Sequence, residues 1–187
     1  EKISAGGVDL QITAFLSAAS LTLYAIAIMY TDVVRAMLLF YLTPLWSAIL
    51  ARIILGEPIT PVRMLAMAIA VVGLLTIFGL GATFPVPRNV GDWMGFASGL
   101  LWAMTAVRLR GDTRNHSLDI TGSYFLWSAL IALTAALFVA PGGAPAASQY
   151  LPLLPWLVPM LLLLVVPGAY AAVWGPKFLN PGLVGIL

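Results

Sequence analysis

Cysteine is absent from the sequence, histidine occurs once, at His116, and only 9% of the 187 residues are charged. The first absence excludes disulfide frameworks, thiol chemistry and cysteine-based zinc sites. The second leaves no cluster to ligate a metal, so neither a metal nor a cofactor is expected. The shortage of charge excludes more. A soluble domain carries roughly 25% charged residues, and nine Lys/Arg with seven Asp/Glu cannot cover a core of this size with polar surface. Nucleic acid is not an expected partner either, because the net charge is only +2 and the basic residues are scattered.

What is present is apolar. Hydrophobic residues make up 61% of the chain and the mean hydropathy is +1.02, so the expected partner is a lipid bilayer. A helix needs roughly 20 residues to cross a hydrocarbon core of about 30 Å. Six such stretches are readable, at about 8–30, 33–55, 64–81, 93–107, 123–140 and 156–174, and a seventh begins near Pro181 and runs on from 183–187. The breaks carry turn chemistry. Gly56-Glu57-Pro58-Ile59-Thr60-Pro61 separates the second and third spans, with Thr60 as a cap and Pro61 suited to a first turn. Pro85, Pro87 and Asn89 separate the third from the fourth, and Pro141-Gly142-Gly143 with Pro145 the fifth from the sixth. The chain does not open on Met and a helix begins at its last residues, so it is expected to be an internal piece of a longer membrane protein.

Lys and Arg are retained on the cytoplasmic side of a membrane. Lys2, Arg52, Arg63, Arg108, Arg110, Arg114 and Lys177 fall on one face, Arg35 and Arg88 on the other. This bias puts the connections after the second, fourth and sixth spans inside the cell, and it predicts a multi-pass protein of the inner membrane. Arg110-Gly111-Asp112 and Asn115-His116-Ser117 spell an adhesion tripeptide and a glycosylation acceptor, but both lie in an inward loop and are discounted.

Tyr24-Ala25-Ile26-Ala27-Ile28 resembles Tyr170-Ala171-Ala172-Val173-Trp174, near the ends of the first and sixth spans. The repeat unit would hold five helices, an odd number, so the second copy would cross in the opposite sense, an arrangement used by transporters.

A family resemblance follows from the second span. Phe40-Tyr41-Leu42-Thr43-Pro44-Leu45-Trp46, continued by Leu55-Gly56-Glu57-Pro58-Ile59-Thr60, resembles the fourth-helix signature of the drug/metabolite transporter superfamily in its EamA-type branch. Gly91-Asp92-Trp93 with Gly99-Leu100-Leu101-Trp102-Ala103 is similar to the opening of that family's second repeat, and Ala169-Tyr170-Ala171 through Trp174 to its eighth helix. The resemblance implies an all-α integral membrane fold of ten helices in two inverted halves (5+5). Residues 1–81 would then hold helices 3–5, and 82–187 the second repeat from helix 6 into helix 9. It also implies a secondary transporter that exports small organic metabolites through a central cavity by alternating access. Aromatic residues at positions able to face the cavity give some likeness to aromatic amino-acid exporters. Nucleotide-sugar or phosphate-ester exchangers of the same superfamily are the alternative, with only Arg35 as a buried cation for their anionic substrates. A channel or structural membrane subunit is the alternative from another class. An enzyme is not expected, since no Asp, Glu or His stands in the middle of a complete span.

The candidate solute contacts are the polar and aromatic groups inside spans. Ser17, Ser20 and Tyr24 share one face of the first span, as a polar wall or as small residues admitting a neighbouring helix. Tyr41 and Trp46 flank Pro44, which removes a backbone hydrogen bond and is expected to bend the helix so that a carbonyl faces the cavity. Trp102 lies beside a ridge of Gly95, Gly99 and Ala103 spaced for close helix contact. Tyr170 and Trp174 follow Pro159, Pro167 and Gly168 in a broken sixth span, as cavity walls or interface anchors. Arg35 is expected to snorkel, to pair with Asp32, or to meet a substrate carboxylate. Glu57 is expected in a structural role or a cytoplasmic salt bridge.

Overall fold

The computed structural model describes residues 7–78, 87–139 and 151–178 together with Ser148, and all regular structure among them is helical. The helices are α1 (Val8–Tyr30), α2 (Val33–Phe40), α3 (Thr43–Ile54), α4 (Pro61–Phe78), α5 (Val90–Gly111), α6 (Ser117–Val139), α7 (Leu154–Met160) and α8 (Val166–Phe178). A 3-10 turn at Leu151–Leu153 precedes α7, and a π-helical stretch at Leu161–Val165 joins α7 to α8. Four described stretches are long and apolar enough to cross a bilayer: Val8–Tyr30, Val33–Ile54, Ser117–Ala136 and Leu151–Phe178. This is an all-α, multi-pass membrane protein. The expected helix from Pro181, residues 79–81 and the Pro141-Gly142-Gly143 break lie outside the described residues.

The second span is two helices, not one. Pro44 has no N–H for the carbonyl of Phe40 four residues earlier, and the helix parts at Tyr41 and Leu42. The Thr43 hydroxyl donates to the released Phe40 carbonyl and lies 3.2 Å from that of Gly99. The freed carbonyl is thus turned toward α5 rather than into open space. The sixth span is also broken, and it starts at Leu151, earlier than its apolar run suggests. In its middle the Val166 N–H reaches back to the Leu161 carbonyl, the wider π spacing that tolerates the missing N–H of Pro167.

α5 is the axis of the bundle, with α1, α2, α3 and α8 packed on it. At 22 residues it is about 33 Å long, enough to cross. It is less apolar than the four stretches above, and ten of its residues are buried. One side is a stripe of small residues. A Cβ on Gly91 would lie 2.8 Å from the Thr31 nitrogen, one on Gly95 3.3 Å from the Ala36 carbonyl, and one on Gly99 2.8 Å from the Phe40 carbonyl. Gly95 and Gly99 of the expected close-contact ridge are therefore seated against α2, and Gly91 against the α1–α2 corner.

Contacts along α5 fix the directions. Asp9 at the start of α1 meets Arg108 at the end of α5, while Thr31 at the end of α1 meets Asp92 at the start of α5, so α1 and α5 are antiparallel. Leu10, Leu109, Ile120 and Val173 form one buried cluster that joins the start of α1, the end of α5, the start of α6 and the end of α8. α1 and α8 consequently run in opposite senses.

Two polar clusters close the ends of the bundle. At one end, Arg108 Nε donates to the Thr13 hydroxyl at 3.1 Å, Arg110 Nε lies 3.5 Å from Glu57 Oε1, and the Lys177 ammonium donates to the Asn115 carbonyl. Gly56, at φ +68°, turns the chain after α3 so that Glu57 can reach α5. The α5–α6 turn is held by Asp112, whose carboxylate accepts from the Arg114 N–H at 2.9 Å and the Asn115 N–H at 3.0 Å. Burial pushes the Asp112 carboxyl up, but the Asn115 and Arg114 hydrogen bonds and the Lys177 charge outweigh it and hold its pKa below the usual range. A depressed folded-state pKa contributes stability that is full above the unfolded carboxylate pKa and is lost as pH falls through the folded one. Hydrogen-exchange protection of the Arg114 and Asn115 amides is therefore expected to fall on acidification through that range. Asp112→Asn should remove this dependence; an unchanged profile would show that the carboxylate does not hold the turn.

Candidate solute-binding cavity

A cavity of about 280 Å³ opens between α1, α5, α6 and the π stretch with α8. Its position follows from the backbone. The π stretch brings Leu164 and Val165 to its rim, and Gly168, Ala169 and Ala172 leave a shallow α8 surface opposite Trp102, Thr105 and Leu109 of α5. Ser17 and Leu21 close it on the α1 side, and Tyr124 on the α6 side. Ser17, Trp102 and Val165 each stand near the middle of their spans, so the cavity is near mid-membrane depth.

The walls are mainly apolar and aromatic, with three hydroxyls. That of Ser17 donates to the Thr13 carbonyl at 2.8 Å, within its own helix. Thr105 is 1% exposed, and its hydroxyl has no hydrogen-bond partner. The third is the Tyr124 phenol. Such a chamber can enclose a ring and offer it an aromatic face and a hydroxyl contact.

Of the sequence candidates, Ser17 and Trp102 line this cavity and the others lie elsewhere. The Ser20 hydroxyl is buried and donates to the Ser98 carbonyl at 2.8 Å, a tie between α1 and α5. The Tyr24 ring packs on Phe40 with centroids 5.0 Å apart. Tyr41, at the α2–α3 break, is 53% exposed. The Trp46 ring meets Phe96 edge-on at 5.5 Å, with its buried indole nitrogen unpartnered. Tyr170 is half-buried, and Trp174 is 46% exposed and packs on Phe178 at 4.8 Å. Thr105 and Tyr124 were not singled out from sequence. The available signal was the three-residue step from Trp102, which sets Thr105 on the same face of α5.

The other end of the bundle carries a charge pair that sequence spacing did not suggest. Arg35 donates through Nε to Asp92 Oδ1 at 3.3 Å and through Nη2 to Oδ2, across 57 positions of chain. Asp92 is 0% exposed, in the first turn of α5, where it also accepts from the Thr31 hydroxyl at 2.6 Å and the Arg88 N–H at 3.0 Å. Asp32, the partner suggested by proximity, caps α2 by accepting from Val34 and Arg35 N–H groups at 2.9 and 3.2 Å.

Helices of opposed sense around an apolar mid-depth chamber suit solute passage, and comparison with known proteins bears on this directly. Residues 6–79 match the EamA-like transporter family. That stretch runs from α1 through α4. A curated protein of Bacillus subtilis (strain 168), "Uncharacterized transporter YyaM", is 32% identical over 88 residues, or 46% of this chain and 29% of that protein. The matched stretch spans under a third of the relative's own length. No solved structure matches the chain.

Proposed function

We propose that the chain is part of a secondary transporter that exports small organic metabolites by alternating access, with the cavity between α1, α5, α6 and α8 as its solute site. The observation that carries this reading is the mid-depth, aromatic-walled chamber in a chain whose first four helices match a transporter family. Support also comes from the opposed senses of α1 and α8, as two inverted halves of ten helices in all would require, with residues 1–81 in the first half and 82–187 in the second. The broken sixth span at the cavity rim fits the discontinuous helices of carriers. The end bearing Arg108, Arg110 and Lys177 is assigned to the cytoplasm of an inner membrane by its positive charge.

Aromatic-walled cavities suit solutes with flat rings, the feature shared with aromatic amino-acid exporters. Phosphate esters are disfavoured because Arg35, their candidate contact, is engaged by the Asp92 carboxylate outside the cavity. Flux of labelled aromatic metabolites, sugars and phosphate esters into proteoliposomes carrying the full-length protein tests the reading. Saturable, competable flux is expected of the aromatic set, and flux that never saturates would point to a channel. Trp102→Ala is expected to lower kcat/KM about tenfold, the loss of one aromatic contact, whereas Trp174→Ala leaves it near the unsubstituted value. The reverse order would move the site away from α5.

A further inference from the structure

The four helices that enclose the cavity also meet in one buried apolar cluster. Leu10 of α1, Leu109 of α5, Ile120 of α6 and Val173 of α8 are each at most 4% exposed. Leu109 and Val173 belong to the cavity lining as well, so the cluster is the floor of the chamber on the side of its basic end. Polar ties follow immediately beyond it. The Lys177 ammonium, one turn past Val173, donates to the Asn115 carbonyl in the α5–α6 turn, and Arg110 Nη1, next after Leu109, donates to the Lys177 carbonyl at 3.1 Å. A solute leaving the chamber toward this end has to part the apolar side chains and then these bonds. Apolar constrictions of this kind also hold back water.

One of the four helices is built to move. In α8 only Val173 and Pro176 are buried, so its seat on the bundle lies at this end. Above that seat the π stretch Leu161–Val165 and Pro167 interrupt the regular hydrogen bonding at the cavity rim, where a helix bends most readily. α1 and α5 have no such freedom, because Arg108 with Thr13, Ser20 with Ser98, and Thr31 with Asp92 tie them along their whole length.

We infer that α8 is the leaf of a gate at the basic end of the cavity, with Val173 as its plug and the Arg110 and Lys177 hydrogen bonds as its latch. The structure holds this gate shut. A swing of α8 about the π stretch withdraws Val173 from Leu10, Leu109 and Ile120 and opens the chamber toward the side assigned to the cytoplasm. The inference rests on the carrier reading and supplies the moving part on one side of its cavity.

Ala172 lines the cavity one residue before Val173, so a thiol placed there reports the gate. Ala172→Cys, as the sole cysteine of the full-length protein, is treated with the impermeant anionic reagent 2-sulfonatoethyl methanethiosulfonate in inside-out and right-side-out vesicles. Slow labelling is expected from the cytoplasmic face. Val173→Ala and Lys177→Met should each speed it about tenfold, the population shift that follows loss of one charge-assisted bond or its equivalent in packing. Loss of the Lys177 charge would by itself slow an anionic reagent, so acceleration reads the gate. Ala103→Cys, at a buried position of α5 outside the cavity lining, should stay unreactive in every background, which separates gate opening from general loosening. Fast cytoplasmic labelling with Val173 and Lys177 intact, an unchanged rate in either variant, acceleration only from the other face, or exposure of the Ala103→Cys thiol would each overturn the inference. The carrier reading answers separately to the proteoliposome flux, so a protein that transports yet fails these tests keeps its function and loses only this gate.

Discussion

Gly99→Ala is expected to lower the melting temperature of the detergent-solubilised protein markedly, and Gly99→Leu to prevent recovery of a monodisperse folded species. The added Cβ would stand 2.8 Å from the Phe40 carbonyl oxygen, 3.2 Å from Phe40 Cα and 3.3 Å from the Leu39 carbonyl oxygen. All three are backbone atoms, so no side chain can swing aside, and α2 and α5 must part. Overpacking of this kind costs about 1–3 kcal/mol even where neighbours can adjust, a large share of a net stability of about 5–15 kcal/mol. Leucine would also displace the Thr43 contact that serves the carbonyl freed by Pro44. Gly122→Ala and Gly73→Ala are the controls. A Cβ at either meets nothing within 4 Å, and alanine's better helix propensity should leave stability unchanged or raised by up to about 1 kcal/mol. Equal melting of the Gly99 and Gly122 alanine variants would disprove the close α2–α5 approach.

Removal of one partner from the Arg35–Asp92 pair should also be strongly destabilising. Asp92→Ala leaves the guanidinium without its buried carboxylate and unties Thr31 and the Arg88 N–H from the start of α5. Breaking a buried pair costs about 3–5 kcal/mol. The lower figure fits Asp92→Ala, because the Arg35 side chain keeps 23% exposure and can turn toward headgroups. Arg35→Ala should cost more, since the Asp92 carboxylate is 0% exposed and has no route to water. Arg35→Met combined with Asp92→Leu should regain most of the loss, as apolar replacement of a whole buried pair often does. A double-mutant cycle by thermal or denaturant unfolding checks this. Additive losses, with no coupling between the positions, would mean that the two side chains act independently.

The two variants mark the boundary between what spacing conveys and what it hides. The glycine ridge was legible because Gly95, Gly99 and Ala103 recur at helical steps, and close approach is the principal use of such a stripe in a membrane. The Arg35–Asp92 pair was not, because proximity in sequence favoured Asp32, whose carboxylate is engaged in capping α2. Ser20 shows the same limit. Its step from Ser17 identified a shared face but not that the hydroxyl would meet the Ser98 carbonyl on another helix. The break at Tyr41 and Leu42 was half readable. Pro44 announced the lost hydrogen bond, whereas the destination of the Phe40 carbonyl depended on where α5 lies.

The sequence alone determined that the chain crosses a bilayer several times and which helix face admits a close neighbour. Hydrocarbon cannot satisfy backbone polar groups, so each crossing must be a long apolar helix with polar turns at its ends, and both leave a mark in composition. Only the tertiary structure decided which residues enclose the cavity. A helix apolar on all sides has no periodic stripe to say which side meets lipid and which meets protein, so Thr105 and Tyr124 at the cavity wall and Trp174 on the outer surface could be told apart only once the helices were packed.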